Sequence, residues 1–105
     1  MQSVRLRQIA LVAHNLAPAV EEACAALDAA PVFSDPALIQ FGLENCLLRL
    51  GHDTFVELVA PVRDNTTAGR YLDKFGPGGY MILLQVRQNR VGHMSRLAAA
   101  PLLSF

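Results

Sequence analysis

Phe55-Val56-Glu57-Leu58-Val59-Ala60-Pro61 sets a single carboxylate in an apolar run that a proline closes. Aromatic and β-branched residues favour a strand, and period-two alternation puts Phe55, Glu57 and Val59 on one face with Val56 and Leu58 on the other. Pro61 has no N–H to give to a ladder, so the strand ends there. Working backwards, Gly51-His52-Asp53 is the tip of a tight hairpin, because Gly and Asp tolerate the positive φ such turns demand. Residues 45–50 form its other arm. Residues 38–41 also carry strand character, interrupted by Gly42 and the polar pair Glu44-Asn45. Val32-Phe33, between Pro31 and the turn Ser34-Asp35-Pro36, makes a short edge strand.

Nearer the start, residues 6–13 (LRQIALVA) form a buried strand bounded by His14 and Asn15. Alternation groups Leu6, Gln8, Ala10 and Val12 on one face and leaves Ile9 and Leu11 to pack against a helix. That helix takes Asn15 as N-cap and Pro18 in its first turn, with Glu21 and Glu22 complementing the positive end. Val20, Cys24 and Leu27 give it an apolar stripe, and it ends near Asp28. Strand, helix and three strands therefore precede Pro61. After a polar connection over 62–67, Thr66 or Thr67 caps a short helix through 68–75. Gly76-Pro77-Gly78-Gly79 turns the chain into a second buried strand, 80–86 (YMILLQV). A weaker helical pattern over 91–100 aligns Val91, Met94, Leu97 and Ala98 before Pro101, and 102–105 opens a further strand.

Composition narrows the function classes. Of 105 residues, 52% are hydrophobic and 17% charged, which calls for a packed core rather than disorder. Nine basic residues balance nine acidic ones, so no net field draws the chain to nucleic acid or an anionic membrane. No apolar run approaches the roughly 20 residues of a membrane span, and the first residues lack the apolar core of a signal peptide; the expected location is cytoplasmic. Cys24 and Cys46 lie in apolar stretches without a CxxC or a Cys/His cluster, and read as buried thiols in a reducing compartment. His14, His52 and His93 show no pairing motif and read as surface histidines.

Three segments carry a family resemblance. Arg7-Gln8-Ile9-Ala10-Leu11-Val12 resembles an "HIAL"-type opening strand, Phe55 to Pro61 resembles an "ELxxP" fourth strand, and Gly79-Tyr80-Met81-Ile82-Leu83 falls where a second "GHIAL" strand opens. In this order and spacing, over roughly residues 4–86, the chain resembles the glyoxalase-like, vicinal-oxygen-chelate superfamily. Glyoxalases, epimerases, extradiol dioxygenases and bleomycin-resistance proteins belong to it. The resemblance implies an α+β fold with a mostly antiparallel, curved sheet. It also implies one domain made of a complete βαβββ module at 1–61, a connector with a short helix at 62–79, and the start of an incomplete second module at 80–105.

In that family the concave sheet faces hold a divalent metal bound by the substrate's adjacent oxygens, with ligands on the first and fourth strands of each module. Carried over by position, Gln8 stands where the first histidine usually does, Glu57 at the matching carboxylate and Tyr80 where the second histidine usually does. A neutral amide and a protonated phenol are poor ligands. The expectation is therefore no cofactor, with a divalent metal on Gln8 and Glu57 as the possible exception. The function expected is small-molecule binding in the concave face, with Gln8, Phe55, Tyr80 and Arg70 contacting the ligand and Glu57 as the catalytic carboxylate of an active protein. Arg70, at the start of the second helix, would meet an anionic group. The alternatives are a metal-dependent lyase, isomerase or dioxygenase completed by dimerisation, or an inactive, truncated member. Glu57 has its own alternative, an ion pair with Arg49 across the hairpin or a solvated edge; Gln8 has that of a hydrogen-bonded strand residue, and Tyr80 that of a wall residue. A lone module leaves one sheet face and an edge exposed, which predicts a homodimer.

Overall fold

A computed structural model describes residues 2–88 and 95–101, with side chains over 3–85. Along the chain run β1 (Gln2–Val12), α1 (Leu16–Leu27), β2 (Pro31–Phe33), a 3-10 helical turn (Pro36–Phe41), β3 (Leu43–Leu50), β4 (Thr54–Pro61), α2 (Thr67–Phe75), β5 (Gly78–Gln88) and β6 (Ser95–Pro101). The strands make one six-stranded sheet in the order β2-β3-β4-β1-β5-β6. Only β1 and β4 are parallel, joined by the crossover that includes α1; every other neighbour is antiparallel. This is an α+β fold, and β5 and β6 continue the sheet past β1.

Three local readings change. Residues 38–41 are helical rather than extended, because Pro36 starts the turn and the Asp35 side chain accepts from the Ala37 N–H at 3.0 Å. Gly42 ends the turn in the left-handed region, φ 73°, where glycine alone carries no steric cost. The helix expected over 91–100 is not present over the part described: Ser95–Pro101 is β6, paired along β5 from Arg87↔Ser95 to Met81↔Pro101. A ten-residue helix is marginal in isolation, whereas the free edge of β5 offers its backbone a complete ladder. Residues 91–94 and the strand expected at 102–105 lie outside the described residues. Finally, α1 starts at Leu16, so Glu21 and Glu22 fall beyond its first turn, and Asn15 occupies the cap position without a side-chain bond.

Each sheet face has its own core. On one, Cys46, Leu48, Val56 and Leu58 are buried beneath α1, with Leu11, Leu16, Val20 and Cys24 packed around them. On the other, α2 lays Ala68, Tyr71 and Leu72 over Val12 and Val59. The Thr66 hydroxyl fixes its start by accepting from the Gly69 N–H at 3.0 Å. α2 covers only the end of this face towards the C-termini of β1 and β4. Among the described residues no helix covers the rest, and the radius of gyration, 15.0 Å, exceeds the roughly 13 Å of a closed domain this long. Among the described residues no helix is long and apolar enough to cross a membrane.

Candidate functional site

The open part of the face is organised around Glu57. Strand register places Ala10, Glu57 and Leu47 in one row across β1, β4 and β3, flanked by the rows Gln8-Phe55-Arg49 and Val12-Val59-Asn45. Glu57 thus stands in the middle of a three-strand patch whose near neighbours are mostly apolar. Two amides reach it diagonally. Gln8 Nε2 donates to Glu57 Oε1 at 2.7 Å, and Asn45 Nδ2 donates to Glu57 Oε2 at 2.6 Å. A carboxylate only accepts, so both amides must turn their N–H groups towards it. Asn45 is buried, and its Oδ1 accepts from the Asp35 N–H at 2.8 Å, which fixes its orientation from behind. The partly exposed Glu57 carboxylate is thereby held by neutral donors on this sheet face.

The sequence-derived residues fall into three places. Gln8 and Glu57 are joined directly, and Phe55 stands beside them on the same face. Tyr80 sits further along, in the α2 core, where its ring meets Tyr71 edge-on at 4.8 Å. Arg70 is separate from Glu57: exposed on α2, it donates to Asn65 Oδ1 at 3.0 Å and to Thr67 Oγ1 at 3.4 Å. With His14, Arg63 and Asp73 it lines a cleft of about 410 Å³ beyond Pro61. The ion pair considered between Glu57 and Arg49 does not form. Arg49 instead places its guanidinium carbon 5.6 Å from the centre of the Phe55 ring. His14 and His52 are exposed, and His93 lies outside the described residues.

Asn45 is the residue sequence reasoning missed. It opens the expected arm 45–50, but there it reads with Glu44 as a polar interruption with no part in the site; β3 runs through both. Alternation gives Asn45 the parity of Leu43 and Leu47, and the β3–β4 register, Leu47 opposite Glu57, then sets all three on the face of Glu57.

Whether this set suits a divalent ion is a question of donor chemistry. Both Glu57 oxygens already accept amide N–H groups, and Gln8 and Asn45 present donors rather than oxygens to the same point. Among the described residues no three His, Cys, Asp or Glu side chains gather. These residues, as arranged, do not fit a first-row divalent ion.

Two groups elsewhere carry shifted acidities. Burial, then the neighbouring Tyr71, pushes the Tyr80 phenol up, with Arg70 opposing weakly. Burial likewise pushes the Cys46 thiol up, against a hydrogen bond from Ser34. Both are neutral acids whose folded-state pKa is raised, so their contribution is intact below the unfolded values of about 8.5 and 10 and is lost as pH rises from there through the raised folded-state values. The thermal midpoint should stay flat through neutrality in this respect and decline progressively above about pH 8.5, and Tyr80→Phe should remove the upper part of that decline.

No family model and no curated protein sequence matches the chain. Solved structures do. Methylmalonyl-CoA epimerase from Streptomyces coelicolor, in complex with 2-nitronate-propionyl-CoA, superposes with a TM-score of 0.67 at 23% identity, over 74% of this chain and 59% of that one. The epimerase from Mycobacterium tuberculosis gives 0.67 at 24% identity, over 74% and 52%. A hypothetical protein from Bacillus halodurans gives 0.68 at 19% identity, over 76% and 56%. The chain thus spans less than two thirds of each of these structures. At such identities the likeness shows the fold. The epimerases are glyoxalase, bleomycin-resistance and vicinal-oxygen-chelate proteins, and theirs is the fold on which this chain is built.

Proposed function

We propose that the concave face around Glu57 binds a small carbonyl compound, and that Glu57 acts there as hydrogen-bond acceptor and proton-transfer base. The observation that carries this reading is the carboxylate held between Gln8 and Asn45 on a largely apolar, open sheet face. Isolating a carboxylate among apolar neighbours is costly unless it is bonded, and two neutral donors meet that cost while each oxygen keeps a second lone pair for a ligand. A base so placed can take a proton from a carbon next to a carbonyl when the substrate is set within about 3 Å. Gln8 and Asn45 orient it; Phe55, Leu47 and Ala10 supply the apolar floor. The opposite wall comes from a second copy of the chain in a homodimer, which also covers sheet surface that a monomer leaves to water.

The related fold supports a test ligand: one of the solved epimerases holds methylmalonyl-CoA. Calorimetric titration of the purified chain with methylmalonyl-CoA, with free CoA as control, should show saturable binding only of the acyl thioester. Its α-hydrogen should exchange in D2O faster in the presence of the protein, and Glu57→Gln should lower that exchange by about 100-fold or more while the protein remains folded. Light scattering should give twice the chain mass. If the chain binds no acyl thioester, or exchange is unchanged by Glu57→Gln, the assignment to Glu57 is wrong; a monomer that binds would remove the second copy from the site.

A further inference from the structure

We infer that Arg49 is an anion-binding arm of this site, and that the ligand carries a single carboxylate group that meets Arg49 while its reacting end meets Glu57. This rests on the reading of the Glu57 face as a binding surface, and adds the class of ligand it takes.

The register brings the two charges to one face. Arg49 pairs with Phe55 and Leu47 pairs with Glu57, so Arg49 and Glu57 are diagonal neighbours on adjacent strands. Diagonal pairs stand about 7–8 Å apart, too far for the backbone alone to join them and close enough for one small molecule to touch both tips. The guanidinium is also oriented, since its carbon lies 5.6 Å from the centre of the Phe55 ring, and Phe55 belongs to the same face.

It is also unspent. The carboxylate near this end of the sheet, Asp53, is taken by Arg5 at 2.7 Å and approached by Arg7 at 3.9 Å, so it is not Arg49's partner. Glu57 is occupied by its two amides. Among the described residues Arg49 makes no ion pair, and it retains a planar fork of donors matched to a carboxylate. The Glu57 carboxyl group nearby disfavours a doubly charged group, such as a phosphate dianion, at Arg49 itself, because the added charge is repelled across the same few ångströms. A single carboxylate, balanced by the guanidinium, fits both groups.

Two small probes separate this inference from the reading beneath it. Monomethyl malonate carries one carboxylate and one ester; methyl malonamate has the same shape with an uncharged amide in place of the acid. Each is titrated into the purified chain while the side-chain N–H signals of Gln8, Asn45 and Arg49 are followed by 15N-edited NMR. Monomethyl malonate is expected to shift all three saturably and to bind at least tenfold more tightly than methyl malonamate. Arg49→Gln should reduce the acid to the affinity of the amide, and Arg49→Lys, which keeps the charge but not the fork, should fall between. Equal binding of the two probes, or acid binding unchanged in Arg49→Gln, overturns the arm and leaves the Glu57 site standing. If neither probe moves the Gln8 and Asn45 signals, the site reading itself fails and the arm fails with it.

Discussion

Leu48→Ala should lower the unfolding free energy by about 2–5 kcal/mol, the range for truncating a large aliphatic side chain in a core. Leu48 has no exposed surface; on β3 it is paired with Val56 and Pro31 and packs beneath α1. Within α1, by contrast, no residue is fully buried, so the helix sits on this cluster rather than enclosing it. Removing Leu48 takes away the surface the helix rests on, and β3, held in ladders on both sides, cannot move in to fill the space. A domain of this size has about 5–15 kcal/mol in all, so the loss is a large share. Urea titration should show a lower midpoint at unchanged slope. Leu27→Ala on the same helix, at a residue 43% exposed, should cost far less; similar costs at both sites would mean that α1 packs differently.

Gly42→Ala should cost about 2–5 kcal/mol, by adding two effects. A side chain in the left-handed region costs about 1–2 kcal/mol. Here an added Cβ would also stand 2.7 Å from Arg63 Nε and 2.8 Å from Thr66 Cγ2, and crowding of that kind typically costs about 1–3 kcal/mol. Gly42 also donates to the Ile39 carbonyl at 2.9 Å and accepts from the Val62 N–H at 2.8 Å, so the backbone is poorly placed to yield. Gly51→Ala separates the terms: its φ is 67° and nothing lies within 4 Å of the new Cβ. It should show the conformational cost alone. Equal losses in the two variants would show that the Arg63 and Thr66 side chains move aside freely.

Much of the fold was legible because the strong strands announce themselves by alternation: β1, β4 and β5 sit where apolar period and bounding turn residues put them. The errors fall where tertiary partners override local preference. Residues 95–101 carry Leu97-Ala98-Ala99-Ala100, good helix formers, yet they lie along β5, because an open ladder offers more than a short unsupported helix. Residues 36–41 include Leu38 and Ile39, strand-like by type, but Pro36 and the Asp35 cap act first. At the site, shared parity gave the face of Gln8, Phe55 and Glu57. Which strands adjoin was not in that pattern, so neither the Asn45 contact nor the separation of Tyr80 and Arg70 from Glu57 could be read from it. Parity assigns a face; register assigns a neighbour.

The bond from Gln8 to Glu57 spans 49 positions of sequence, across the only parallel pair among the described strands. No hairpin or local turn can bring those two side chains together, and the chain must first complete the crossover through α1 and seat β4 beside β1. The Gln8 half of the Glu57 site is therefore a late product of folding, whereas the Asn45 half lies within the β3–β4 hairpin. Exchange of the Gln8 and Asn45 side-chain environments should vanish in the same transition as the whole domain. A destabilising change as distant as Leu48 or Gly42 would then reduce the fraction of molecules bearing a site at all, while leaving the affinity of each folded molecule as it was.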